Sequence, residues 1–212
     1  MQIKTRLGRG AGLVTGLVLA GVLAGCEPVT LGAAMGSGVL VATDRRSAGT
    51  QLEDQTIELR AMSELGNELD KNTRIIVTSY NRRVLLTGDI AAEADRKKAV
   101  QIVSAVENVV QVVDELQVRV VASLSERSAD SLTTARVKGG LIDAKDMFAN
   151  AFKIVTERGT VYMMGRVTQR EADRATQIAR STTGVKRVVR VLDIISEAEL
   201  ARMLPKKTGD AE

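Results

Sequence analysis

The sequence predicts an α+β chain built from two tandem copies of one αββαβ module. Three observations carry this. Glu93-Ala94-Asp95-Arg96 recurs as Glu171-Ala172-Asp173-Arg174 at an offset of 78, and Val109-Val110-Gln111-Val112-Val113-Asp114 recurs as Val188-Val189-Arg190-Val191-Leu192-Asp193 at an offset of 79. Gly88, which closes an apolar run from Val84, matches Gly165, which closes another from Val161, at an offset of 77. The hydrophobic period also alternates between helical and strand spacing in the same order in both halves. Three anchors in one order with so little drift mark a repeated structural unit.

Each element follows from its period. In the first module, residues 51–121, Ile57, Ala61, Met62, Leu65 and Leu69 recur at helical spacing. Arg74 to Thr78 and Val84 to Gly88 are β-branched or apolar runs separated by the turn-like Asn81-Arg82-Arg83, which reads as a hairpin. Ala92 to Val106 places Ala99, Ile102, Val103 and Val106 on one helical stripe, and Val109 to Val120 is a closing strand. The second module, residues 131–196, has a helix near Leu132 to Ala144, strands at Lys153 to Thr156 and Val161 to Val167, a helix at Arg170 to Thr182 and a strand at Arg187 to Ile195. Residues 197–212 read as a C-terminal tail, frayed from Pro205 onward.

The segment before the modules has its own logic. Lys4, Arg6 and Arg9 precede a run of small and apolar residues from Gly10 to Ala24, the layout of a secretory signal over residues 1–25. That run is short of the roughly 20 apolar residues a membrane span needs. It ends in Leu23-Ala24-Gly25-Cys26, which resembles the lipobox of bacterial lipoproteins. The resemblance implies that Cys26 is the lipidation site, carrying diacylglyceryl and an acylated amino terminus (palmitate chains), and that Glu27 in place of Asp directs the protein to the outer membrane. Residues 26–50 carry Pro28, Gly32, Gly36, Gly38 and Gly49 without a sustained period and read as a lipidated tether. Its 24 residues beyond the cysteine would span roughly 80 Å at about 3.3–3.6 Å each.

Composition excludes several chemistries. The 212 residues include no His, no Trp and one Cys, which removes Ser-His-Asp and Cys-His catalysis, His-ligated zinc or heme, and any internal disulfide. The pairs Asp143/Asp146 and Glu171/Asp173 have no accompanying nucleophile, base or phosphate loop, so they read as structural and the chain as no enzyme. No cofactor is expected. Without the signal, 27 bases face 26 acids, so the high overall pI does not indicate nucleic-acid binding. Export and four aromatic residues in all argue against nucleic acid as well.

The αββαβ order, the glycine-ended strand and the helix followed by a Val-rich strand resemble the BON domain. Two such modules behind a lipobox, with the tether ending ATDRRSAGTQLEDQT and the segment YMMGRVTQREAD, resemble the dual-BON outer-membrane lipoproteins of the division- and outer-membrane-stress-associated lipid-binding family (DolP). This implies two helices packed on a three-stranded mixed sheet in each module, modules facing the periplasm, and binding of anionic phospholipid by the second module. It also implies a role in envelope integrity, stress response and cell division.

Charge separates the modules independently. Residues 51–121 carry 9 bases and 12 acids, residues 131–196 carry 12 bases and 6 acids, so the net charges are −3 and +6. Only the second suits an anionic membrane, where a basic residue contributes roughly 1 kcal/mol. The candidate lipid-binding residues are Leu132, Arg136 and Lys138, with Gly139 and Gly140 either exposing backbone to a headgroup or serving close helix packing. Arg170 and Arg174, with Gln177 and Ser181, form a second candidate face. The alternative function is a periplasmic scaffold or adaptor whose acidic first module and sheet edges bind envelope proteins.

Overall fold

The computed structural model describes residues 44–69 and 72–203. Cys26, the signal segment, the tether up to residue 43 and the tail from Pro205 to Glu212 lie outside the described residues. The elements run α1 (Ala48–Glu68), β1 (Arg74–Tyr80), β2 (Arg83–Ile90), α2 (Glu93–Ala105), β3 (Gln111–Val118), α3 (Leu124–Asp143), a 3₁₀ turn (Ala149–Ala151), β4 (Phe152–Glu157), β5 (Thr160–Thr168), α4 (Gln169–Ser181), β6 (Arg187–Ile195) and α5 (Glu197–Met203).

The two halves have the same topology. Each sheet has its second strand in the centre, antiparallel to the first and parallel to the third, in the orders β1-β2-β3 and β4-β5-β6. The expected pair of αββαβ modules, each with helices on a three-stranded mixed sheet, is what forms. Two-residue turns close both hairpins, with positive φ at Asn81 (53°) and Arg82 (63°) in one and at Arg158 (49°) and Gly159 (78°) in the other. Two consecutive left-handed residues give the turn hand that matches strand twist. The parallel pairs need a crossover, which α2 and α4 supply.

Strand alternation divides the apolar residues between two faces. In the first module Val77, Val84, Leu86, Ile90 and Leu116 meet Ile57, Ala61 and Leu65 of α1 and Ala99 and Val103 of α2. In the second, Ile154, Val161, Met163 and Val167 meet Val137 and Leu141 of α3 and Ala172, Ala175 and Ala179 of α4. The opposite faces contribute Tyr80, Leu85, Tyr162, Met164 and Val191 to a third cluster drawn from both modules. The sheets therefore lie face to face with the helices outside. A module of this size buries only about 60% of its unfolded surface alone, and the shared layer adds to that.

The repeated glycines sit at equivalent places. Gly88 is opposite Ile75 and Gly165 opposite Phe152 in the ladders. A Cβ at Gly88 would lie 2.0 Å from the Arg74 carbonyl oxygen, and one at Gly165 2.3 Å from that of Ala151. The first strand thus crosses the central one too closely for any side chain, which is why the apolar run ends in glycine in both copies.

Several boundaries differ from the expectation. α1 begins at Ala48 inside the stretch read as tether, because the Ser47 side chain accepts the Thr50 N–H as an N-cap. α3 begins at Leu124, eight residues before Leu132, through a capping box between Ser123 and Glu126. The stretch read as tail holds α5, docked through buried Leu200. Met62 is exposed and faces away from the α1 core stripe.

Candidate functional site

α3 shows two contrasting sides. Asp130, Thr133, Val137 and Leu141 are buried against the second module. On the outer side Leu132 is 58% exposed and Ile142 69%. Ala135 and Gly139 lie between them at helical spacing, so the four form one narrow apolar stripe. Arg136 and Lys138 are exposed on its two flanks and neither has an ion-pair partner among the described residues. The two glycines divide the roles left open by the sequence. Gly139 faces open space, whereas a Cβ on Gly140 would come within 2.8 Å of the Ile178 side chain, so Gly140 serves the packing of α3 on α4.

The second candidate face is electrostatically occupied. Arg170 donates to the Asp146 carbonyl at 2.8 Å and lies 3.4 Å from the Glu197 carboxylate. Arg174 lies 3.5 Å from Asp146 and donates to Gln177 at 3.2 Å. Ser181 donates back to the Ile178 carbonyl. Arg170 and Arg174 therefore belong to a cluster with Asp146 and Glu197, apart from the Leu132 stripe.

Much of the charge contrast between modules is spent where they meet. Lys153 pairs with Glu58 at 2.6 Å, Arg158 with Asp89 at 3.2 Å, Arg187 with Glu115 at 3.0 Å and Arg74 with Glu157 at 2.8 Å. Three of the four put a cation of the second module on an acid of the first. Extending the second module back to Leu124 adds Glu126, Arg127 and Asp130 and lowers its net charge to +5. A cleft of about 380 Å³ opens at this seam, lined by Asp89, Glu115, Arg119, Arg158 and Arg187. Tyr162 donates to Glu115 there, and burial, with the Glu115 charge behind it, pushes its hydroxyl up to about 12.

Three of the acids noted as pairs have partners in the fold, Asp146 lying beside Arg174. Glu171 is buried and completes the capping box of α4 with Thr168, while Asp173 pairs with Arg190 at 2.8 Å. Among the described residues no group of three or more His, Cys, Asp or Glu side chains could hold a metal ion. No helix among them is long and apolar enough to cross a membrane.

Two devices escaped the reading of the sequence. Asp54 on α1 accepts the backbone N–H groups of Asn81 and Arg82 at 2.8 Å each, and Asp130 on α3 accepts those of Arg158 and Gly159 at 2.6 and 2.8 Å. Each aspartate staples the hairpin turn of its own module. Their offset of 76 residues is in register with the repeat and was the available signal. The other device is Asp44-Arg45-Arg46, placed within the tether by sequence but half-buried against the folded modules.

Two α+β modules of one topology, joined sheet to sheet with their helices outside, define a tandem-module protein. The chain belongs to the BON-domain family, whose domain matches residues 53–120 and 129–196. It is 35% identical over 173 residues to the outer membrane lipoprotein DolP of Haemophilus influenzae, covering 80% of this chain and 88% of that protein. It is also 30% identical to a 21 kDa hemolysin of Actinobacillus pleuropneumoniae, over 72% of this chain and 79% of the relative. The osmotically-inducible protein Y of Escherichia coli is likewise 30% identical, over 72% of this chain and 78% of its own length.

Proposed function

We propose that the protein is a lipoprotein anchored in the outer membrane through Cys26, with its modules in the periplasm. Its second module binds anionic phospholipid through the outer side of α3, in support of envelope integrity and division. The observation that carries this is the contrast between α3, where Arg136 and Lys138, without an ion-pair partner among the described residues, flank exposed Leu132 and Ile142, and α4, where Arg170 and Arg174 have carboxylates beside them. An unpaired surface cation gives up little when it meets a phosphate, and the exposed α4 cations give up in addition the small amount that their pairs hold. The lipobox at Cys26 and the likeness to an outer membrane lipoprotein support the anchoring. At about 1 kcal/mol per basic residue, α3 alone gives weak, salt-sensitive contact, which an acyl anchor would reinforce by holding the module near the bilayer.

The test is sedimentation of the unacylated chain with phosphatidylglycerol vesicles against phosphatidylcholine vesicles. Arg136→Glu with Lys138→Glu should weaken binding to the anionic vesicles at least about tenfold, a change of four charges at about 1 kcal/mol each before screening. Arg170→Glu with Arg174→Glu should weaken it less. Equal binding to both vesicle types, or binding through residues 51–121, would replace lipid recognition by the scaffold reading. That reading has its own support in Leu52 and Leu59, each 65% exposed on α1 of the acidic module.

A further inference from the structure

We infer that Asp44-Arg45-Arg46 is a clasp that holds the two modules in their face-to-face arrangement, so that the chain preceding the modules sets their relative orientation together with the sheet contact. Consecutive arginines grip opposite modules. Arg45 makes a two-pronged pair with Glu171, at 2.8 and 2.6 Å, and donates to the Arg166 carbonyl at 2.8 Å, all within the second module. Arg46 donates to Asp54 of the first module at 2.8 Å, and its guanidinium lies 4.3 Å from the centre of the Tyr80 ring. Asp44 orients Arg46 through both carboxylate oxygens, at 3.1 and 2.8 Å. The grips meet at one place, because the Arg166 N–H donates across the seam to the Tyr80 hydroxyl at 3.3 Å.

Burial separates this contact from the other ion pairs of the seam. The side chains of Arg45 and Glu171 are 4% and 1% exposed, whereas the cations of the four seam pairs are between 22% and 55% exposed. Exposed pairs are screened and hold little. A buried pair that loses one member leaves an uncompensated charge, so its geometry is enforced. The receiving carboxylates are also fixed: Asp54 staples the first hairpin and Glu171 caps α4. The clasp therefore joins rigid points in both modules. Burial opposes the charge on both acids, but hydrogen bonds led by Ser79 for Asp54 and by Arg45 for Glu171 outweigh it and hold both below the usual carboxylate range.

The experiment uses the unacylated chain with Cys26→Ser, which carries no native thiol, and with spin labels at Gln101→Cys on α2 and Ser128→Cys on α3. Both positions are exposed. The unaltered clasp should give one narrow distance distribution. Arg45→Met with Arg46→Met should broaden it to several times its width, while amide exchange in β2 and β5 stays within threefold of the parent. Because that variant leaves Glu171 without its partner, a companion carrying Glu171→Gln as well removes both charges and keeps a Thr-x-x-Gln capping pattern. Broadening in the companion with β2 and β5 protection intact supports the clasp. A distribution as narrow as the parent's overturns it. So does broadening that appears only with lost protection in the second module, since the arginines would then serve folding rather than orientation. No lipid enters either readout, so the lipid-binding proposal can fail without affecting this one.

Discussion

Substituting alanine for glycine at three positions gives a graded test of how closely the strands cross. At Gly88 the backbone φ is +118°, and a Cβ would lie 2.0 Å from a carbonyl oxygen that cannot rotate away. Backbone strain of this kind costs about 1–3 kcal/mol, and overpacking adds about 1–3 kcal/mol more. The sum, about 2–6 kcal/mol, is a large share of the roughly 5–15 kcal/mol that stabilises a typical domain. Gly165→Ala meets an oxygen at 2.3 Å without a positive φ, so only the steric part applies, about 1–3 kcal/mol. Gly139 lies within α3 with nothing near its Cβ position, so Gly139→Ala should stabilise by about 0.5–1 kcal/mol through helix propensity. Thermal unfolding reads the series: at roughly 2–4 °C per kcal/mol for a chain of this size, Gly88→Ala should lower Tm by roughly 5–20 °C and Gly139→Ala raise it by a few degrees. If Gly88→Ala were no less stable than Gly165→Ala, or Gly139→Ala destabilised as much as either, the close-crossing argument would be wrong.

Two further outcomes follow from the same chemistry. Asp54 and Glu171 have depressed pKa values in the folded chain, so their contribution is fully present above the unfolded carboxylate values near 4 and is lost as pH falls through the folded ones. With no His in the chain, Tm should stay level between about pH 5 and 8 and fall below about pH 4; a transition centred near neutrality would contradict this. Cys26→Ser should leave an unprocessed or soluble precursor on fractionation, and a variant processed and membrane-bound like the parent would refute lipidation at that residue.

The module plan was legible because period and repeat report the same thing: helical spacing exposes α1, α2 and α4, and the runs ending at Gly88 and Gly165 expose the central strands. Those runs also carried the seam. Val84-Leu85-Leu86 and Val161-Tyr162-Met163-Met164 are continuously apolar, the pattern of strands buried on both faces, and Leu85, Tyr162 and Met164 belong to the intermodule cluster. The start of α3 was hidden because its first turns bury almost nothing before Asp130, so only the capping box Ser123-x-x-Glu126 announced it. Leu132, Arg136 and Lys138 are exposed, and whether they meet lipid is what the vesicle experiment reads. Counting charge could not tell free cations from paired ones, and so Arg170 and Arg174 stood beside Arg136 without distinction. Buried pairs such as Arg45–Glu171 have no period at all, since they join residues 126 positions apart.

Joining the sheets leaves each module its helical layer and its sheet edges to meet a large partner, and the two helical layers differ in charge. On α1 the exposed Leu52 and Leu59 have Arg60 beside them, itself paired with Glu107, within a module of net charge −3. On α3 the exposed Leu132 and Ile142 lie between Arg136 and Lys138, in a module of positive net charge. Both modules have one fold and an exposed apolar pair on the first helix, and the sign of the module's net charge is reversed. An anionic bilayer would repel the first arrangement and attract the second, by about 1 kcal/mol per basic residue. The helices lie on opposite sides of the paired sheets, so a chain that turned α3 to the membrane would turn α1 away from it, leaving the acidic, apolar side of the first module facing the periplasm. Lipid contact and protein contact are then compatible uses of one molecule, distinguished by module, and the vesicle experiment with charge reversal confined to α3 addresses the first without disturbing the second.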